Sequence, residues 1–221
     1  MGRDRVLLLL VGVELGGAAG GIWAAVEAPA WVAALRGPEA KAFWYASRST
    51  GWVSYGLLWV TTSLGLLLSG RTVQGRAAGD PAELHQFTAG LALAFVALHG
   101  LVLLGDRYLH PDLLVVLAPF GFPGRRPWVG LGQLAAYALA AVYATSWARR
   151  RIGYRLWRSV HYAAFGAYGL ATLHLLGAGT GVGPTTGTLV LASAAAICAM
   201  LGLRAWEGLG KQIVRREVTK P

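Results

Sequence analysis

Six stretches of about 20 mainly apolar residues, the length that crosses a bilayer as an α-helix, dominate this chain. They run at about residues 6–26, 43–69, 84–105, 128–148, 156–177 and 187–206. A coiled run of that length satisfies its own backbone polar groups where no water is present. Composition points the same way. Of 221 residues 55% are apolar and 14% charged, with a mean hydropathy of +0.50. A soluble domain carries about 25% charged residues. So little charge cannot cover a soluble surface, and so much apolar material excludes intrinsic disorder. The single cysteine, Cys198, excludes a disulfide scaffold and reads as a small packing residue in the sixth stretch. The expected fold class is all-α: a polytopic membrane helical bundle of six transmembrane helices, one membrane domain over residues 1–221.

The first stretch follows Arg3 and Arg5, as a secretory signal would, but its apolar region outlasts a signal's usual length. We read it as a span. Gly12, Gly16 and Gly20 recur along it at the spacing that lets helix backbones approach closely in lipid. Glu14 lies in the same stretch and needs a polar partner there. The basic residues sit in the short segments between spans. Counting Lys and Arg on alternate sides gives 14 against 6, which places both termini in the cytoplasm. That distribution accounts for the net charge of +10 by membrane orientation and attraction to anionic lipid, not by nucleic-acid binding. The longest loop, about 106–127, includes Ala118-Pro-Phe-Gly-Phe-Pro-Gly-Arg-Arg-Pro127, whose prolines and glycines forbid regular helix.

Five histidines remain. His110 lies in the outer loop and reads as solvated. The other four fall inside spans, where ionisable groups are costly and need partners: His85 and His99 in the third, His161 and His174 in the fifth. His85 and His99 are 14 residues apart, about 21 Å along a helix and some 40° from the same face. His161 and His174 are 13 apart, about 19–20 Å. Both helices run outward from the cytoplasm, so the depths match: His85 with His161 inside, His99 with His174 outside. A haem inserted between the helices at each level would take one imidazole from each. The two levels are too far apart for one zinc or copper ion. A 13-residue separation leaves His161 and His174 about 140° apart on an ideal helix, so the fifth helix must bend or cross obliquely. Gly166 and Gly169 lie between them and are the expected place. Hydrogen bonding to a neighbouring helix is the alternative use of a membrane histidine.

The pattern His85-x13-His99 with His161-x12-His174 resembles the ferric reductase-like transmembrane domain family, which includes the membrane portions of NADPH oxidases and ferric-chelate reductases. Pro119-Phe, Trp128-Val-Gly-Leu-Gly132, Arg155-Leu-Trp157-Arg158 and Trp44-Tyr-Ala-Ser-Arg-Ser-Thr-Gly51 are similar to bacterial members. The likeness covers about 43–178. It implies two b-type haems, the inner on His85 and His161, the outer on His99 and His174. The oxidases and eukaryotic reductases continue into a flavin- and nicotinamide-binding domain. These 221 residues carry no GxGxxG after a strand. No flavin is therefore expected in this chain, and the electron donor is expected to be a separate flavoprotein or quinol-linked partner.

The reading that follows is an electron-transfer subunit of the plasma membrane. A cytoplasmic or membrane donor would reduce the inner haem, an extracytoplasmic acceptor would oxidise the outer one, and the chain could sit in a larger redox complex. Two imidazoles fill both axial positions of a haem iron and favour electron transfer at the haem edge. Arg48, Arg155 and Arg158 are candidates to pair with haem propionates. Arg125 and Arg126 read as solvated loop residues. Trp44, Trp52, Trp128, Trp147, Trp157 and Trp206 mostly mark span ends, as an interfacial aromatic belt. A terminal ferric-chelate or other metalloreductase is the second reading. A solute or proton transporter whose histidines relay protons is the third.

Overall fold

The computed structural model describes residues 42–69, 79–106 and 109–218. The first span, with Glu14 and the Gly12–Gly20 series, lies outside them. The regular elements among the described residues are all helical, with no strand: α1 Ala42–Ser69, α2 Gly79–Val102, a 3-10 turn Leu103–Gly105, α3 Leu113–Leu117, α4 Arg126–Ile152, α5 Tyr154–His161, α6 Ala163–Ala178 and α7 Pro184–Val218. Four stretches among them are long and apolar enough to cross a membrane: Ala42–Ser69, Pro81–Gly105, Arg126–Ile152 and Pro184–Trp206.

The fifth expected span is not one helix. It is the short α5 followed by the 16-residue α6, with the break at Tyr162. There the Phe165 N–H donates to the Tyr162 carbonyl, three residues back, while Tyr162 N–H still bonds Arg158. Gly166 and Gly169, expected to carry the distortion, sit inside regular α6 with open space beside them. The required bend is thus next to His161 itself. A second break, at Gly153, separates α4 from α5; its φ of 82° is a conformation that a side chain disfavours. The sixth stretch runs further than expected, to Val218.

The most extensive packing is α1 against α2, then α4 against α6. Helix α1 is central, contacting α2, α6 and α7. About 44% of its span is buried against 11% in each of the other three. Its buried face is rich in small polar residues, Ser47, Ser54, Thr61 and Thr62 among them, the kind that allows close helix approach in lipid. Tyr55, Leu58, Leu66, Tyr168, Val190 and Ile197 form the apolar core between α1, α6 and α7. Within it the Tyr55 hydroxyl meets those of Tyr168 (3.1 Å), Thr172 (3.2 Å) and Ser193 (2.9 Å). Each polar group thereby gains a partner on another helix, which the low-dielectric setting demands. Cys198, expected to pack inside, is exposed on α7.

The long loop behaves as its composition dictates. Residues 118–125 form no helix, and Phe120, Gly124 and Arg125 all have positive φ. Gln133 of α4 ties this loop down. Its Oε1 accepts the Phe120 N–H at 2.9 Å, and its Nε2 donates to the carbonyls of Val115 and Val116 at 3.0 and 2.8 Å. His110 is exposed.

Candidate functional site

The four span histidines meet in two pairs. His85 of α2 faces His161 at the end of α5, with ring centres 6.2 Å apart and planes at 64°. His99 of α2 faces His174 of α6, at 6.0 Å and 77°. These are the pairs expected from depth. Two imidazoles bound to one metal from opposite sides would place their centres about 6.2 Å apart, given a metal–nitrogen bond of about 2 Å and about 1.1 Å from ring centre to Nε2. Both pairs fit that separation. Among the described residues no group of three or more His, Cys, Asp or Glu side chains comes together.

Three of the rings are held by one device. His99 Nδ1 lies 2.6 Å from the Ser47 carbonyl, His85 Nδ1 2.8 Å from the Thr61 carbonyl, and His174 Nδ1 2.9 Å from the Trp128 carbonyl. A carbonyl oxygen can only accept, so in each case Nδ1 carries the proton and Nε2 keeps its lone pair for a metal. Such outer hydrogen bonds orient a ligating histidine and raise its basicity. Four residues beyond each carbonyl stands a glycine. A methyl group on Gly51 would lie 2.9 Å from His99 Nδ1, on Gly65 3.1 Å from His85 Cε1, and on Gly132 2.6 Å from His174 Nδ1. Each ring therefore rests on bare helix backbone. The hydroxyls of Ser47 and Thr61 complete the grip by donating to the carbonyls of His99 (2.8 Å) and His85 (3.0 Å).

Sequence reasoning missed these supports, yet a signal was present. On α1, Ser47-x3-Gly51 recurs as Thr61-x3-Gly65 with an offset of 14 residues. That offset equals the one between His85 and His99 on the antiparallel α2. Two antiparallel helices with equal offsets bring like against like at two levels.

His161 is held differently. The Trp157 ring lies over it, centres 4.9 Å apart at 33°, and Arg149 lies over Trp157 at 5.0 Å. Two of the tryptophans expected to mark span ends therefore also support the histidines: Trp157 by stacking and Trp128 by its carbonyl. Trp147 and Trp206 are exposed, as a belt requires.

The candidate arginines separate. Arg48 follows Ser47, so it lies near the His99 pair. Its guanidinium lies 5.4 Å from the Trp44 ring centre and close against Gly181 in the α6–α7 turn. Arg155 and Arg158 are exposed on α5, a few residues before His161. Arg158 donates to the Tyr154 hydroxyl at 2.5 Å and the Tyr162 hydroxyl at 3.0 Å. Arg125 donates to the Gly177 carbonyl at 3.1 Å, joining the long loop to the end of α6.

Fold and side chains together define a helical membrane domain with two facing histidine pairs. A family model described as the ferric reductase like transmembrane component matches residues 50–172, more than half of the chain. The chain belongs to the ferric reductase-like transmembrane family. The matched stretch contains His85, His99, His161 and all three supporting glycines, and ends just before His174. Neither a search of curated proteins nor one of solved structures returned a significant match.

Proposed function

We propose that this protein is a b-type cytochrome of the cell membrane that relays electrons between a separate donor and a separate acceptor. The observation that carries the reading is the pair of facing imidazole couples, at 6.2 and 6.0 Å, three of whose members have Nδ1 committed to a backbone carbonyl. Haem bound at each level would supply a reversible one-electron carrier. His85 with His161 would hold one iron and His99 with His174 the other. Held by an imidazole on each face, neither iron would keep an open coordination position for a substrate. The α2 ligands are 14 residues apart, about 21 Å along the helix, so the two levels together bridge most of the hydrocarbon layer.

The remaining residues serve orientation and charge. Arg48 on one side, and Arg155 with Arg158 on the other, offer guanidinium groups to anionic haem edges. The excess of Lys and Arg around Arg149–Arg158 and the C-terminal segment favours a cytoplasmic position for the His85 pair. Electrons would then enter from a flavoprotein or quinol-linked donor at that end and leave to an extracytoplasmic acceptor. A dithionite-reduced spectrum of the purified chain, with a pyridine haemochrome count, tests the reading. The expected result is a sharp low-spin b-type spectrum and two haems per chain. A colourless folded protein would overturn it and favour a transporter. Reduction of a ferric chelate by the haem-loaded chain with an artificial donor would identify a terminal metalloreductase instead of a relay.

A further inference from the structure

The four imidazoles are not held alike, and the difference has a local cause. His85, His99 and His174 each donate Nδ1–H to a carbonyl and rest on a glycine four residues further along. His161 has neither support. Its Nδ1 is buried and has no hydrogen-bond partner.

The missing support belongs on α4. Helix α4 holds His174 through Trp128 and Gly132, and it runs antiparallel to α5 and α6. Stepping 14 residues along it, the offset used on α1, leads to Val142 and Ser146; stepping 13, the histidines' own offset, leads to Ala141 and Thr145. Trp157 confirms the neighbourhood, since its Nε1 donates to Ser146 Oγ at 3.2 Å. Both candidate carbonyls are already engaged. Thr145 Oγ1 donates to Ala141 at 2.7 Å and to Val142 at 3.1 Å, and Ser146 Oγ donates to Val142 at 2.8 Å. In either register a side chain with a hydroxyl stands where the other three sites have glycine. There its hydroxyl bonds the carbonyl four residues earlier on the helix, an arrangement that the three glycine sites cannot have. The ring is held instead by the face of Trp157.

We propose that Thr145 and Ser146 are positioning residues that set the His85–His161 site apart by denying one axial ligand its carbonyl acceptor, and so hold the iron bound there at a higher midpoint potential than a fully supported site would have. The inference rests on the two-haem reading above. An imidazole whose N–H donates to a carbonyl gives more electron density to the metal and stabilises its oxidised state. His161, with no acceptor at Nδ1, would give less, which would favour the reduced state. The Arg149 charge stacked over Trp157 acts in the same direction.

The test is a redox titration of the purified full chain, with haem counted in every sample. In the variant Thr145→Ala with Ser146→Gly, the carbonyls are released and the helix surface opened. One midpoint should fall, and it should be that of the haem that survives in His99→Ala; the other midpoint should stay where it was. Two bound haems with neither midpoint moved would overturn the proposal. Wild-type chain labelled with 15N-histidine provides a second reading that needs no variant. Reduced-minus-oxidised infrared spectra should show three ligands with a bonded Nδ1–H and one with a free one. Four equivalent ligands would also overturn the proposal. A wild-type chain that binds no haem removes the underlying function together with it.

Discussion

Replacing Gly132 by alanine puts one methyl group where the His174 ring lies. That carbon would stand 2.6 Å from Nδ1, 2.7 Å from Cγ and 2.8 Å from Cε1, whereas ordinary contact begins at 3.4 Å. The ring must retreat by about 0.8 Å to restore normal packing distance. A coordinate bond tolerates only about 0.2 Å. The same retreat stretches the 2.9 Å bond from Nδ1 to the Trp128 carbonyl. The helix itself gains about 0.5–1 kcal/mol from the exchange, because alanine loses less backbone freedom than glycine on folding. Cofactor binding and helix stability therefore move in opposite directions. The expected outcome is a folded protein that has lost one of its two haems by pyridine haemochrome count. The corresponding retreats are about 0.5 Å at Gly51 and about 0.3 Å at Gly65, so haem loss should decline in the order Gly132, Gly51, Gly65. Gly166→Ala and Gly169→Ala, which meet nothing within 4 Å, should raise the melting temperature and leave the spectrum alone. A Gly132→Ala protein with both haems and an unchanged low-spin spectrum would refute the idea that bare backbone is what admits the imidazole.

Other expectations follow from the same geometry. Ser47→Ala and Thr61→Ala should keep both haems, because the acceptors for His99 and His85 are backbone carbonyls; the lost hydroxyl bonds should cost about 0.6 kcal/mol each in thermal or denaturant unfolding, and haem loss would contradict the assignment. His99→Ala should remove one haem and leave the other with unaltered absorbance, whereas retention of both would break the pairing with His174. The imidazole planes cross at 64° and 77°, so the oxidised protein should give strongly anisotropic low-spin electron paramagnetic resonance signals; an ordinary rhombic triplet would mean the rings lie parallel. Tyr55→Phe removes three hydroxyl contacts at the junction of α1, α6 and α7 and should lower stability by about 0.6–1.7 kcal/mol, with no change in haem absorbance.

Much of this protein is legible without coordinates, and for one reason. Span length, apolar content and the 1.5 Å rise of a helix are local properties. They suffice to place His85 and His99 on one helix and to match their depths with His161 and His174, although the structure divides that stretch, so that His161 ends α5 and His174 lies in α6. They even require a distortion between His161 and His174, although not where it falls. Glycine tolerates bending, which makes Gly166 and Gly169 the natural candidates, but the helix ladder is interrupted at another place. Here that place is Tyr162.

What only the tertiary structure decided is how each imidazole is held. The carbonyls of Ser47, Thr61 and Trp128 look like any other carbonyls in a sequence, and glycine is common along this chain. Their roles depend on the register between helices whose partners lie 52, 24 and 46 residues apart. That register is set by side-chain packing along whole interfaces, so no single stretch of residues encodes it. The same holds for His161, which has a histidine's ordinary place in the spacing pattern. It differs from the other three in that its Nδ1 meets no acceptor and its ring lies against Trp157.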